Sequence, residues 1–155
     1  MFEHFLAAAQ EQEKIACLHT KGAEEAVLEM LDRYQLPGVL VHWYSGPTDI
    51  FKEFTSRDVY FTFGVELLYS EHIQTLAKKV PLERLLTETD NPGGLRSLTG
   101  RPGMPTLIMD VLDKLAQSRD KSPDEMIQIV QSNLIHLARR DPRLSKTPLR
   151  FLEEN

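Results

Sequence analysis

The sequence predicts an α/β fold in which about four parallel strands are covered by helices. Segments of strand character alternate with segments of helical periodicity, which is the pattern of βα repeats. The repeat length is also nearly constant: 23 positions separate His19 from His42, and 48 positions, close to two repeats, separate His42 from Asp90. We expect one such domain over residues 1–140 and a surface tail over residues 141–155, where two prolines and mixed charges occur.

The first half of the chain contains three predicted helices and two predicted strands. A helical stripe of apolar residues opens the chain, and the segment KIACLH, ending at His19, predicts the first strand. Gly22 and two glutamates begin a second helix, which the Pro-Gly pair at 37–38 ends. The segment VLVH predicts the second strand, ending at His42, and Pro47 begins a short third helix.

The second half continues the alternation through two more strands. The segment VYFTFGVE alternates at period two and predicts the third strand, and RLLTETD predicts the fourth, ending at Asp90. A helix over residues 70–79 lies between them, and a Pro-Gly-Gly loop follows the fourth strand. An apolar stripe predicts a long helix from Leu107, and the capping box that starts at Ser122 predicts a final helix through about Arg139.

The bulk composition restricts the classes of function. A single cysteine, Cys17, excludes an internal disulfide and a cysteine-based zinc site. The net charge of −5 argues against passive wrapping of nucleic acid, which depends on neutralising phosphates, but a bound metal ion could still supply local positive charge. No apolar run approaches the roughly 20 residues that span a membrane, and the amino terminus lacks a basic n-region. We therefore expect a cytoplasmic protein.

Three polar residues come at the ends of predicted strands. His19, His42 and Asp90 end the first, second and fourth strands, and the carboxyl ends of parallel strands face the side where active sites form. Two imidazoles and a carboxylate suit zinc or another divalent metal, which polarises phosphoryl oxygens and activates water. Each residue alone would more often be a satisfied core or edge residue, so the hypothesis depends on their common position.

The local sequences resemble a known family. CLHTKG, VLVHWYSG and PLERLLTETDNPGG, in this order and spacing, resemble the TatD family of metal-dependent deoxyribonucleases, which are amidohydrolase-like TIM-barrel enzymes. The resemblance covers residues 1–140. It implies that His19, His42 and Asp90 bind a divalent metal (Mg, Mn or Zn) and that Asp90 orients or deprotonates the attacking water. It also implies hydrolysis of phosphodiester bonds in DNA, often from a 3′ end.

The sequence departs from the family at two motifs. The five histidines are His4, His19, His42, His72 and His136, so the family's His-x-His is absent, and the bridging glutamate of its fourth strand is absent too. The resemblance therefore implies a half barrel, strands five to eight of the family, with an incomplete metal site. Such a half would be completed by a second copy in a homodimer or by a separately supplied amino-terminal half.

Two alternative functions remain open at this point. The chain could be a truncated, catalytically incomplete remnant or assembly module of the family. An amidohydrolase-type site also permits hydrolysis of a substrate other than nucleic acid.

Other residues near the strand ends are candidates for substrate contact. Lys21, Arg96 and Arg101 lie in predicted loops, where cations can hold phosphates, although exposed cations are usually only solvated. Trp43 follows a predicted ligand and could stack on a base or pack under the neighbouring loop. Glu88 lies two residues before Asp90 and so faces the same way, either as a carboxylate partner or as a deeper hydrogen-bond acceptor.

Overall fold

Four short parallel strands form one sheet in the computed structural model, which describes residues 1–146. The strands are β1 (Ala16–Leu18), β2 (Val39–Val41), β3 (Val59–Phe63) and β4 (Leu85–Thr87). They lie in the order β1-β2-β3-β4, and all three pairs are parallel, which confirms the predicted arrangement. Most of the predicted tail, residues 147–155, lies outside the described residues, and a short 3-10 helix spans Leu144–Lys146.

Seven α-helices connect and cover the strands in the described part of the chain. They are α1 (Phe2–Glu11), α2 (Glu24–Leu31), α3 (Thr48–Thr55), α4 (Glu71–Lys79), α5 (Gly93–Thr99), α6 (Leu107–Ser118) and α7 (Pro123–Ala138). The predicted capping box at Ser122 is formed, with proline in the first turn of α7. Within residues 1–146, none of these helices combines the length and apolar character that a membrane crossing needs.

Helix α5 corrects the sequence prediction, which placed a loop after the fourth strand. The segment begins with two glycines, which are poor helix formers, so its helical signal is weak. It nevertheless forms a helix of seven residues that ends at Gly100 in the left-handed conformation, a common helix stop. Arg96 consequently lies on a helix and Arg101 just beyond it.

The main core lies between one face of the sheet and the covering helices. The strand register aligns Leu18, Val41, Phe61 and Leu85 in one row, and all four are buried. Phe51 and Phe54 of α3 pack against Phe61, with ring centroids 4.8 Å and 6.3 Å away. Burying such large apolar side chains is the principal stabilising contribution to this side of the sheet.

The opposite face of the sheet is covered over part of its width. Tyr60 and Leu86 are buried there beneath Leu137 of α7. At the other edge, Cys17 of β1 is exposed, although the residues on both sides of it in the strand are buried. This face therefore changes from covered at β3 and β4 to open at β1.

Helix α7 is fixed beneath the sheet by polar contacts as well as apolar ones. The side chain of Asn133 is buried and donates to the backbone oxygens of Leu82 and Leu85, at 2.8 Å each. The guanidinium groups of Arg84 and Arg140 lie over the ring of Tyr60, 4.9 Å and 5.4 Å from its centroid.

Candidate metal centre

The predicted ligands follow the carboxyl ends of β1, β2 and β4, and in a parallel sheet these ends lie along the same edge, which we call the mouth of the sheet. The backbone N–H of His42 donates to Leu18 at 2.8 Å, so the pairing of β2 with β1 continues through His42. The backbone N–H of Glu88 likewise donates to Phe63 at 3.2 Å, which extends the pairing of β4 with β3. These bonds fix the backbone at the mouth of the sheet, where each strand passes into its loop.

His19 and His42 lie side by side across the mouth. Their ring centroids are 5.6 Å apart and the ring planes meet at 46°. Two imidazoles that bind one metal through nitrogen at about 2.0–2.1 Å, in tetrahedral arrangement, have centroids roughly 5 Å apart. His19 is exposed, and the His42 side chain is 26% exposed. The histidine pair, as we call these two residues, therefore has nearly the spacing that a shared metal ion requires.

Glu88 contacts the histidine pair directly. Its Oε2 is hydrogen-bonded to Nδ1 of His42, and its side chain is only 15% exposed. Burial raises the pKa of the Glu88 carboxyl, whereas the Thr62 hydroxyl and His42 beside it act to lower the pKa, and Asp90 acts to raise it. The second oxygen, Oε1, is buried without a hydrogen-bond partner among residues 1–146.

Asp90 is exposed and lies beyond the end of β4 in an uncommon backbone conformation. Its φ of 47° lies in the left-handed region, which a non-glycine residue rarely adopts. Its carbonyl accepts from the N–H of Gly94 at 2.6 Å, which ties Asp90 to the start of α5. Among residues 1–146, no three His, Cys, Asp or Glu side chains are close enough to form a ready metal cage. The structure thus brings the two histidines together, but it does not bring Asp90 close enough to complete the predicted set of three ligands.

Trp43 packs beneath the neighbouring loops. Its φ of 52° is also left-handed, and its ring lies against Gly64 and Gly94. A Cβ built on Gly64 would come within 2.8 Å of the ring, and one on Gly94 within 2.9 Å. Trp43 is only partly buried, so part of its ring is still accessible. Its stacking on a base stays a prediction, in addition to the packing seen here.

The predicted substrate-binding cations are exposed and follow the carboxyl ends of the strands. Lys21 lies in the turn after β1, and Arg96 and Arg101 lie in and after α5. Backbone amides of the segment 91–94, which follows β4, could also bind a phosphate. The amide of Gly94 is already bonded to Asp90, so it is not available in this arrangement.

Sequence reasoning missed two features of the site. Thr62 of β3 lies between the strands that bear His42 and Glu88, and its hydroxyl accepts from the N–H of Trp43 at 3.3 Å. Period-two alternation from the buried Tyr60 would have indicated that Thr62 faces the same side. The sequence offered Glu88 as a hydrogen-bond acceptor but did not indicate His42 as its partner, because that contact depends on which strands lie one apart in the sheet.

The donor set fits a divalent metal in its chemistry, although not as a complete cage. The histidine pair offers two imidazoles, and exposed Asp90 offers a carboxylate two residues beyond Glu88. Two histidines with one carboxylate form a common ligand set for divalent transition metals. The remaining coordination positions would have to be supplied by water, by substrate or by another segment.

Comparison with known proteins gives a consistent family. The family model described as TatD related DNase matches residues 1–139. An uncharacterized metal-dependent hydrolase of Methanocaldococcus jannaschii is 26% identical over 141 residues, covering 90% of this chain and 55% of that protein. A protein of Citrobacter rodentium named as the 3'-5' ssDNA/RNA exonuclease TatD is 27% identical over 144 residues, covering 85% of this chain and 54% of that protein.

Solved structures agree with the sequence comparison. The crystal structure of the TatD homologue YjjV of Escherichia coli superposes with a TM-score of 0.77 at 26% identity, covering 85% of this chain and 52% of that one. The chain therefore spans about half the length of the curated relatives it matches.

Proposed function

Because the chain belongs to the family of TatD-related DNases, we propose that it forms the metal-binding part of a metal-dependent hydrolase that cleaves phosphodiester bonds of DNA. Membership follows from the family match over residues 1–139. Relatives named as metal-dependent hydrolases support the use of a divalent ion. The relative named as a 3'-5' exonuclease supports trimming from a 3′ end as the specific reaction. The cytoplasm, expected from the sequence, is the proposed location.

The histidine pair is the observation that carries this proposal. Two imidazoles lie at the ends of adjacent strands with centroids 5.6 Å apart, close to the spacing of two histidines that share one ion. His19, His42 and Asp90 would hold Mg, Mn or Zn. When bound, such an ion polarises a phosphoryl oxygen and makes water a stronger nucleophile at neutral pH.

The surrounding residues then have separate roles. The exposed carboxylate of Asp90 orients the attacking water and accepts its proton. The exposed cations Lys21, Arg96 and Arg101 hold substrate phosphates by charge. Trp43, already packed on Gly64 and Gly94, presents its remaining surface to a base.

A nuclease assay tests the proposal. The purified chain is incubated with single-stranded DNA labelled at its 5′ end, in Mg²⁺ or Mn²⁺, and a ladder shortened from the 3′ end is expected. Asp90→Asn should lower the rate by about 10²–10⁴-fold, because it removes the acceptor for the proton. His72→Ala is the control, since His72 is exposed on α4 and bonds to the carbonyl of Gly46 at 2.9 Å, and it should cleave like the parent. Equal rates for parent and Asp90→Asn would contradict the proposal.

A second candidate is an incomplete half that gains activity on assembly. It is favoured by the open ligand set among residues 1–146 and by the half-length match to relatives. The completing unit would be an amino-terminal half of the same family or a second copy of this chain. An inactive chain that cleaves DNA once the amino-terminal half of the Citrobacter rodentium relative is added would support this candidate, and inactivity in both states would contradict it.

A further inference from the structure

Glu88 contacts only one of the two ring nitrogens of His42. Its Oε2 is hydrogen-bonded to Nδ1 of His42, and the two side chains are 15% and 26% exposed. An ionised carboxylate only accepts hydrogen bonds, so beside the ionised form of Glu88 the Nδ1 atom is the donor. In the neutral ring, the other nitrogen, Nε2, then keeps a free lone pair.

The sheet itself builds this contact. His42 follows β2 and Glu88 follows β4, with β3 between them. Strands one apart in a sheet are about 10 Å from each other, which an imidazole and a glutamate side chain can bridge together. They meet beside Thr62 of β3, which is buried. The backbone bonds of His42 to β1 and of Glu88 to β3 hold both ends in place.

We propose that Glu88 is a positioning residue that keeps His42 in the Nδ1–H form and so presents its Nε2 to a divalent metal. This inference rests on the metal site of the proposed function. A carboxylate that accepts from the second nitrogen of a metal-binding histidine is a general means of fixing the ring and its tautomer. Glu88 acts through His42, because the oxygen nearest the histidine pair is already engaged by Nδ1.

The tautomer can be measured without any activity. The metal-free full chain is labelled with ¹⁵N-histidine and its imidazole spectrum is recorded at about pH 8, where most imidazoles are neutral. His42 is assigned from the signals lost in His42→Gln. We expect Nδ1–H for His42 in the parent and in Glu88→Gln, whose amide oxygen also accepts. Glu88→Ala should move His42 toward the Nε2–H form that unconstrained histidine prefers in water.

His72 provides an internal control in the same spectra. Its Nε2 lies 2.9 Å from the carbonyl of Gly46, which only accepts, so His72 should be in the Nε2–H form in every variant. Circular dichroism that matches the parent shows that each variant is folded. A parent chain with His42 in the Nε2–H form would overturn the proposal, as would a Glu88→Ala variant with an unchanged His42 tautomer.

Metal affinity supplies the second readout. Calorimetric titration with Mn²⁺ or Zn²⁺ should show affinity weakened about 10–100-fold in Glu88→Ala and less in Glu88→Gln. Glu71→Ala, which removes an exposed carboxylate from the first turn of α4, should bind like the parent. Equal loss in both Glu88 variants would make Glu88 a direct ligand and overturn the positioning role, as would a parent that binds neither ion. Expected tautomers and affinities without DNA cleavage would contradict the proposed function alone.

Discussion

At the scale of single residues, the mouth of the sheet is shaped by the close approach of Trp43 to two glycines. The indole ring lies where side chains on Gly64 and Gly94 would otherwise be. At Gly94 the constraint is twofold, because a Cβ would also come within 2.5 Å of the backbone oxygen of Thr89. Backbone is harder to displace than the end of a flexible side chain, so this position should tolerate nothing larger than glycine.

Gly94→Ala should therefore lower the free energy of unfolding by about 1–3 kcal/mol, the usual cost of forcing an extra methyl group into a packed site. Gly93→Ala is a closely matched control, because a Cβ at Gly93 meets nothing within 4 Å. That substitution should leave stability unchanged or raise it by up to about 1 kcal/mol through the unfolded chain. Urea denaturation followed by circular dichroism gives both values, and similar effects at the two positions would contradict this account.

The sequence allowed some of these residues to be placed but not all. The nearly constant repeat correctly placed His19 and His42 at neighbouring strand ends, because strand and helix lengths together fix where each strand must finish. The backbone of Trp43 and Asp90 could not be predicted, since left-handed φ values are normally indicated by glycine, asparagine or a turn motif. The contact of Glu88 with His42 also required the strand order, which one sequence suggests only through the βα alternation.

At the scale of elements, α7 depends on one buried amide. Asn133 donates from its Nδ2 to the backbone oxygens of Leu82 and Leu85, which flank the start of β4. Those carbonyls belong to a 3-10 helix (Leu82–Arg84) and to the first residue of the strand. A single side chain thus joins the last long helix to the strand that leads to Glu88 and Asp90.

Asn133→Ala should lower the free energy of unfolding by about 1–3 kcal/mol, because it leaves buried carbonyl groups without their donor. Ser132→Ala, at the exposed neighbouring position of the same helix, is expected to change stability by less than about 0.5 kcal/mol. The comparison is made by urea denaturation at constant pH. A loss at Asn133 no larger than that at Ser132 would show that the amide does not stabilise the docking of α7.

An ion pair joins the segment after α1 to the segment after α7, and it predicts that stability depends on pH. Lys14 donates to Asp141 at 2.8 Å, and the Asp141 side chain is 5% exposed. The Lys14 hydrogen bond, assisted by backbone N–H groups of Arg143 and Leu144, holds the pKa of Asp141 below its ordinary value against the opposing effect of burial.

Because the pKa of Asp141 is lower in the folded chain than in the unfolded chain, its ionised carboxylate stabilises the fold at any pH above the unfolded-chain pKa, near 3.9. This stabilisation is lost as the pH falls through the pKa of the folded chain. The urea midpoint of the parent should thus fall more steeply below about pH 4 than that of Asp141→Asn. Since other carboxyl groups titrate in both proteins, the difference between the two curves isolates Asp141. Parallel curves would contradict the prediction.

Prediction of elements failed at α5 for a physical reason. Gly-Gly at its start is unfavourable for a helix in isolation. Packing of Gly94 under Trp43 and the hydrogen bond from its N–H to Asp90 supply the missing stability. In contrast, α7 was predictable because its capping box and first-turn proline are local signals.

At the scale of the whole molecule, the sheet has two edges and one partly covered face. Within residues 1–146, β1 and β4 each have one neighbouring strand. The face that bears Cys17 is open at β1, while α7 covers it at β3 and β4. Because the chain spans about half the length of the relatives it matches, we propose that another unit covers this face. The proposed partners are an amino-terminal half of the family or a second copy.

Cys17 reports on that open face, because it is the only cysteine of the chain and is exposed. Its reaction with a colourimetric thiol reagent should go to completion in dilute protein and slow by at least about tenfold when a partner covers the face. The amino-terminal half of the Citrobacter rodentium relative is the test partner. Self-association would instead protect Cys17 as the concentration of this chain alone rises. Sedimentation over a dilution series distinguishes it from protection by the added partner. A stable monomer at all concentrations would rule out the homodimer.

The order of strands has a consequence for how the chain folds during its synthesis. Sheet neighbours are also chain neighbours: Ala16 pairs with Val39, Val39 with Val59, and Phe61 with Leu85. The paired residues are 20 to 24 positions apart in the chain, so bringing them together costs only a modest loop-closure entropy, and each unit can dock on its predecessor soon after it leaves the ribosome. The histidine pair would then be in place early, while Glu88 and Asp90 arrive with the strand synthesised last. Full metal affinity would consequently be reached only after β4 has joined the sheet.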